Sequence, residues 1–211
     1  MTRKKGSAAD LFDRLKRKCP AYLDLISAET EQEFEQAFTV ILEEGISHLE
    51  KNKRQFVALS ECGLSAVIAA SLTMPGLRVT TEANSNGHVD LTIEADHCVP
   101  KRVKLAEAKI YAGPAYHVKG IGQLLGRYTT GRETAGLLLN YVRQPDIKEV
   151  TRKLRADLNE RKPVRQIGQC QDHTLKWSFT TKHRHDSGEE LSLAHVACNL
   201  HFAGEERDEP S

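Results

Sequence analysis

The stretch NGHVDLTIEADHCVPKRVKLAEAKIYAGPAYHVKGIGQ, residues 86–123, carries the reading of this chain. It holds two strand-like apolar runs, His88–Ala95 and Val103–Tyr111, followed by a helix-like segment that bears Gln123. Successive side chains of a strand point to opposite faces. Asp90 and Thr92 therefore point away from Val89, Leu91 and Ile93, and Glu107 and Lys109 share a face away from Ala106, Ala108 and Ile110. Two carboxylates and an ammonium thus converge at the edge of a core, a set suited to divalent-metal phosphodiester chemistry.

The acidic-x-Lys triplet is not specific by itself, because a chain of this composition holds about two by chance. Asp146-Ile147-Lys148 and Glu160-Arg161-Lys162 are further examples, both in helix- or loop-like surroundings. Glu107-Ala108-Lys109 differs in its setting. An apolar strand carries it, a strand with one aspartate on its polar face precedes it, and an amphipathic helix follows.

Working outward, Asp10–Lys18 reads as a short basic amphipathic segment stopped by Pro20. Thr30 and Glu33 form a capping-box pattern that opens a helix with Phe34, Phe38, Ile41, Leu42, Ile46 and Leu49 at helical spacing. The charged turn Lys51–Arg54 leads into a second helix reaching about Leu72, ended by Pro75-Gly76. A strand is expected over Leu77–Glu82, a turn over Asn84–Gly87, a loop at Pro100 and a helix over Tyr116–Tyr128 after Gly113-Pro114. Ala135–Val142 reads as a strand buried on both faces. Pro145 is placed in the first turn of a helix with Ile147, Val150, Leu154 and Leu158 on one stripe. Strands over Thr174–Lys182 and Glu190–Phe202 flank a hairpin turn at Asp186-Ser187-Gly188.

A length of 211 residues suits one domain with helical decoration. No run of about 18 apolar residues is present, so no membrane span is expected. The start, Met1-Thr-Arg-Lys-Lys-Gly, lacks the apolar centre of a signal peptide. Five scattered cysteines fit a reducing cytoplasm better than a disulfide framework. A net charge of +1 supplies no global field for a polyanion, so any nucleic-acid binding falls to local basic patches.

The helix, three strands, helix and strand of the middle region, with Asp90 on one strand and Glu107-x-Lys109 on the next, resemble the PD-(D/E)XK nuclease superfamily. The resemblance covers Phe56–Tyr141; Val89 stands where the name-giving pattern has proline. It implies an α/β chain with a restriction-endonuclease-like αβββαβ core. The domain layout is then an N-terminal helical extension over 1–54, a nuclease-like domain with a C-terminal strand pair over 55–204, and a disordered acidic tail over 205–211. It also implies a metal-dependent endonuclease acting on DNA, in the manner of effector subunits of bacterial defence systems, with a protein partner or a second copy docking on the N-terminal helices.

Two carboxylates about 4 Å apart repel by roughly 4 kcal/mol at an effective dielectric of 20, and a hard divalent cation removes that conflict. Asp90, Glu107 and the carbonyl of Ala108 are the expected holders of Mg²⁺, with Mn²⁺ as a substitute, and Lys109 is expected to position or deprotonate the attacking water. Glu61 falls three, seven and eleven residues before Leu64, Ile68 and Leu72, so a carboxylate stands on an apolar stripe and needs a partner. In the superfamily such a residue often completes the metal shell; the alternative is a helix-capping role. Gln123 and Tyr128 match a Gln-x-x-x-x-Tyr pattern of several branches, in which the glutamine approaches the active site. Lys119 and Arg127, four residues either side of Gln123, are expected on its helix face and are assigned to phosphates. Glu82 and Asn84 could border the same cleft.

The histidines and cysteines of the last third suggest zinc only weakly. His195 and His201 fall on one strand face and Cys198 on the other, so one ion does not gather them. His183, Arg184 and His185 are expected near a hairpin that could touch a nucleic-acid backbone. The alternative to an enzyme is a catalytically silent binding module on the same fold, and a third reading is a structural subunit.

Overall fold

The computed structural model describes residues 6–84, 88–95, 97, 98 and 101–203. The turn expected at 85–87, Pro100 and the tail from 205 lie outside them, as do the side chains of Glu82 and Asn84. The helices are α1 (Ala8–Lys18), α2 (Pro20–Ile26), α3 (Glu31–Lys51), α4 (Lys53–Phe56), α5 (Glu61–Leu72), α6 (Pro114–Gln123) and α7 (Ile147–Arg161), with a π-helical turn at Leu124–Tyr128. The strands are β1 (Arg78–Asn84), β2 (His88–Ala95), β3 (Arg102–Ile110), β4 (Ala135–Val142), β5 (Gln166–Asp172), β6 (Phe179–Arg184) and β7 (Glu190–Asn199).

The chain is α/β, with all seven strands in one mixed sheet of order β1-β2-β3-β4-β7-β6-β5. The outer trios β1-β2-β3 and β7-β6-β5 are antiparallel, and β4 joins them through two parallel pairings. Parallel neighbours at the centre require both faces to be covered. Residues of α3 and α5, including Phe34, Leu49, Leu64 and Ile68, share one core with Leu91, Ala106, Leu137 and Tyr141. Residues of α6, the π turn and α7 share the other with Leu105, Leu138, Phe179 and Leu193. The β4 run alternates between them, Leu137, Leu139 and Tyr141 to one side and Leu138 and Val142 to the other.

The capping box is present: Glu33 N–H donates to Thr30 Oγ1 at 3.2 Å and Thr30 N–H to Glu33 Oε2 at 3.0 Å. Four local expectations are corrected. The single helix from Arg54 to Leu72 is broken at 57–60, where Ser60 starts α5 afresh by accepting from Gly63 N–H. Pro145 precedes α7, whose N-cap is Asp146 at φ 54°. The helix after Gly113 opens at Pro114, and its last turn is π rather than α. The C-terminal strand pair is a trio: β5 was missed because its exposed Gly168-Gln169 centre offers neither alternation nor β-branched residues.

Candidate active site

The register of β2 and β3 builds the site. Leu91 pairs with Ala106 and the ladder runs on to Ala95 and Arg102; beyond Leu91 the two strands separate. In a strand the N–H and C=O of one residue face the same neighbour, so Ala106, Ala108 and Ile110 all present theirs to the β2 side. Past Ala106 those groups have lost their ladder partner. Two carboxylates replace it: Ala108 N–H donates to Asp90 Oδ2 at 2.8 Å and Ile110 N–H to Glu61 Oε2 at 2.7 Å. The carbonyl of Ala108 faces the same gap.

Glu61 is the first residue of α5, and Ser60 caps that helix. Its carboxylate is therefore free of capping duty and turns to β3. The capping alternative is set aside.

Glu107 and Lys109 lie on the other axis of the strand, beneath α6. Lys109 Nζ stands 2.6 Å from Glu107 Oε1, 3.3 Å from Glu61 Oε1 and 3.7 Å from Asp90 Oδ2. Asp90, Glu107, Glu61 and Lys109 are thus brought together as one cluster. Gly120 on α6 lies directly over the pair: a Cβ there would sit 3.6 Å from the Cγ atoms of both Glu107 and Lys109, an ordinary contact distance.

Burial divides the charges unequally. Glu107 is 1% exposed, and desolvation pushes its carboxyl up to about 7 despite the neighbouring ammonium, with Asp90 and Glu61 adding to the rise. Burial also raises Asp90, against the opposing pull of the Ala108 N–H and Lys109. For Lys109 burial acts downward, but the three carboxylates outweigh it and the ammonium is held above its ordinary value. One oxygen of the cluster, Glu107 Oε2, is buried without a hydrogen-bond partner.

That orphan oxygen and the neighbouring Ala108 carbonyl fit a hard cation, which takes oxygen ligands. Among the described residues, however, no group of three His, Cys, Asp or Glu side chains is already drawn together at metal-ligand spacing. The Lys109 ammonium is within 4 Å of all three carboxylates and occupies the place of their common cation.

Gln123 ends α6, half-buried, and among the described residues makes no hydrogen bond to the cluster. The π turn that follows closes with Thr129 N–H on Leu124 O at 3.1 Å, an i→i+5 spacing. The π turn lies between Gln123 and Arg127, and Arg127 is exposed like Lys119. Tyr128 is buried, and its hydroxyl is pushed up by burial and then by the charges of Glu107 and Asp90.

Sequence reasoning missed Tyr116, whose exposed ring lies 6.0 Å from Lys109 Nζ. Its position two residues after Pro114, on the first turn of the helix over the site, was the available signal.

It also missed a buried polar row beside the cluster. Asn140 pairs in register with Lys109 and contacts His117 Nδ1 at 2.9 Å. His117 Nε2 meets His195 Nδ1 at 2.8 Å, His195 Nε2 meets Thr181 Oγ1 at 2.6 Å, and Thr181 Oγ1 meets His183 Nε2 at 2.8 Å. His183 Nδ1 faces the Val164 carbonyl at 2.9 Å, so it must donate there. With neutral rings the direction then follows along the row: Thr181 donates to His183, His195 to Thr181 and His117 to His195. This leaves His117 Nδ1 an acceptor and requires the Asn140 amide to present its nitrogen rather than Oδ1 there. Burial lowers all three histidines, His117 to about 4.

His183 is consequently no surface contact, a correction to its expected place by the hairpin. Arg184 is exposed, and His185 is half-buried and bonded to Ser187 Oγ at 2.9 Å. His195 and Cys198 belong to opposite faces of the sheet, and His201 bonds the Arg143 carbonyl at 3.1 Å, so the expected separation of the zinc candidates holds.

Comparison of the chain with protein-family models, curated proteins and solved structures gave no significant match. The functional argument therefore rests on the geometry of the site. No helix of the described residues is long and apolar enough to cross a membrane.

Proposed function

We propose that this chain is a divalent-metal-dependent nuclease of the PD-(D/E)XK kind, acting on DNA. The observation that carries the reading is the gathering of Asp90, Glu107 and Glu61 around Lys109 Nζ where β2 leaves β3, with Glu107 Oε2 buried and unpartnered. The element order α5-β1-β2-β3-α6-β4 around that point supports the restriction-endonuclease-like core.

In this reading Asp90, Glu107 and the Ala108 carbonyl hold Mg²⁺, or Mn²⁺ in its place, and Glu61 completes the shell. The ion, when bound, polarises the scissile phosphate and lowers the pKa of water. The chain's own residues do the rest. Lys109, released from the carboxylates, turns its ammonium to the charge that develops on the phosphate. Tyr116 offers an aromatic face beside it for a nucleotide base. Gln123 approaches from α6, and Lys119 and Arg127 supply phosphate contacts that position the strand.

A second reading, a silent binding module, has its own support. Asp90 and Glu61 already satisfy backbone N–H groups of β3, which is a structural use of both carboxylates. Purified protein incubated with plasmid DNA and with mixed RNA, in Mg²⁺, Mn²⁺ or EDTA and beside Lys109→Ala, separates the two. Metal-dependent cleavage lost in the variant supports the nuclease and names the nucleic acid. Absence of both cleavage and metal binding sinks it in favour of the module.

A further inference from the structure

Helix α1 is the one described helix of its length that buries none of its residues. Leu11 is 58% exposed and Phe12 56%, side by side on a helix whose last turn carries Lys16, Arg17 and Lys18. Among the described residues none of these three cations is in an ion pair. An apolar pair beside cations that are unpaired among the described residues, on a helix packed chiefly against α2, is a surface without its counterpart.

The counterpart lies on the same chain. Residues 1–18 hold seven Lys or Arg against two Asp, whereas residues 20–50 hold eight Asp or Glu and no Lys or Arg. The structure lays that acidic stretch along α3 as two grooves that meet at Val40, itself 45% exposed. One, of about 610 Å³, runs between α3 and the Leu175–Trp177 segment and is lined by Glu43, Glu44, Ser47 and Glu50, with Lys51 and Lys176 also in its wall. The other, of about 320 Å³, lies between α2 and α3 and includes Asp24 and Gln36. Glu43 and Glu44 make no ion pair among the described residues, whereas Glu31 and Glu35 of the same helix pair with Arg102 and Lys104.

We propose that α1 of one copy docks in the α3 groove of a second copy, giving a reciprocal two-fold dimer. Leu11 and Phe12 cover Val40 and the groove floor by Trp177, and Lys16, Arg17 and Lys18 face Glu43 and Glu44. An 11-residue helix is about 16 Å long, within the span of α3. The chain's own α1 does not fill its own groove, because its apolar pair remains in solvent. Both surfaces are present on each copy, so two exchanged contacts close the assembly without leaving a free end. A nucleic-acid backbone would engage the cations but has no partner for Leu11 and Phe12. The proposal stands apart from the nuclease reading.

The test is the mass of the full-length protein by light scattering across a concentration series at low salt. The expected species is a dimer of the 23.6 kDa chain. Lys16→Glu with Arg17→Glu, or Glu43→Lys with Glu44→Lys, should each raise the dimer dissociation constant about tenfold or more, as should 0.5 M salt. Mixing the two variants restores both complementary contacts and should restore the dimer. Since α1 buries nothing and Glu43 and Glu44 are exposed on α3, each variant should melt with the wild type at concentrations below the dimer dissociation constant, which excludes unfolding as the cause. A wild-type monomer at every concentration overturns the proposal, as does a dimer indifferent to both charge reversals. Loss of DNA or anionic-vesicle binding in the α1 variant, with no change in mass, assigns α1 to that surface instead and equally overturns it.

Discussion

Asp90 Oδ2 accepts the Ala108 N–H at 2.8 Å, so a proposed metal ligand is also the group that closes the β2–β3 gap. The two duties separate by substitution. Asp90→Asn keeps an acceptor for Ala108 and should melt within a degree or two of wild type while losing metal binding. Asp90→Ala leaves a part-buried N–H unsatisfied and should cost about 1–3 kcal/mol, read from urea unfolding. Equal destabilisation by both would show that the hydrogen bond is not what holds the gap.

Lys109 is the only ammonium among three carboxylates, and it is 10% exposed in the side chain against 1% for Glu107. Lys109→Met should destabilise the protein by roughly 3–5 kcal/mol at pH 8, where Glu107 is left ionised and buried. The loss should shrink as pH falls, starting above 7, because without Lys109 nothing opposes the burial that raises Glu107 and it takes up its proton sooner. Saturating Mg²⁺ should restore part of it. A variant as stable as wild type at pH 8 would mean that the cluster is hydrated rather than buried.

Metal affinity should itself depend on pH. Glu107 titrates at about 7, raised by burial, so below that a proton occupies the oxygen a cation needs. Mn²⁺ affinity should fall about tenfold for each unit below 7 and level off above 8. Calorimetric titrations at pH 6 and 8 measure this, and equal affinities would remove Glu107 from the ligand set.

The row His117–His195–Thr181–His183 predicts acid lability. His117 is held to about 4 in the fold against an ordinary 6.5, and burial lowers His195 and His183 as well. Between those values the unfolded chain binds protons that the native state refuses. The stabilisation is complete above about 6.5 and is lost as pH falls towards 4, by roughly 3 kcal/mol for His117 alone. Glu107 acts oppositely: its raised value favours the native state as pH drops from 7 to 4.5, so the histidines must outweigh it. His117→Gln should flatten the dependence of Tm on pH between 6.5 and 4.5, and an unchanged slope would locate acid lability elsewhere.

Gly120 measures how tightly α6 lies on the cluster. A methyl there meets Leu138 at 3.4 Å and the Glu107 and Lys109 stems at 3.6 Å, ordinary contact distances. Gly120→Ala should therefore be tolerated and gain up to about 1 kcal/mol of helix propensity. Gly120→Leu should lift α6, cost about 1–3 kcal/mol and weaken metal binding. Full activity in the leucine variant would exclude α6 from the site.

The strands β2, β3 and β4 and the capped helix α3 were legible because their signals are local: period-two alternation, an unbroken apolar run, and Thr30 with Glu33 three residues on. The shared face of Glu107 and Lys109 was legible from the same alternation, but at Asp90 the alternation breaks: Val89 falls in the core beneath α6 while Leu91 and Ile93 fall in the other. Gly113-Pro114 announced α6 but not its π end. That end is defined by Thr129 N–H on Leu124 O at 3.1 Å, since Leu124, Leu125 and Tyr128 have the spacing of an ordinary α-helical stripe and signal nothing else. β5 was illegible because its pairing with β6, rather than its own residues, makes it a strand.

Sequence by itself determined the α/β class, the central strands and the acid–lysine set, since side-chain parity follows from backbone geometry within a few residues. Tertiary structure decided what those groups do to one another. The splaying of β2 from β3 turns Asp90 and Glu61 towards the Ala108 and Ile110 N–H groups. Burial beneath α6 raises Glu107, and the placement of β7 beside β4 brings His195, far along the chain, against His117. Each of these depends on contacts between distant segments and on the loss of water around charged groups, neither of which is written in local residue spacing.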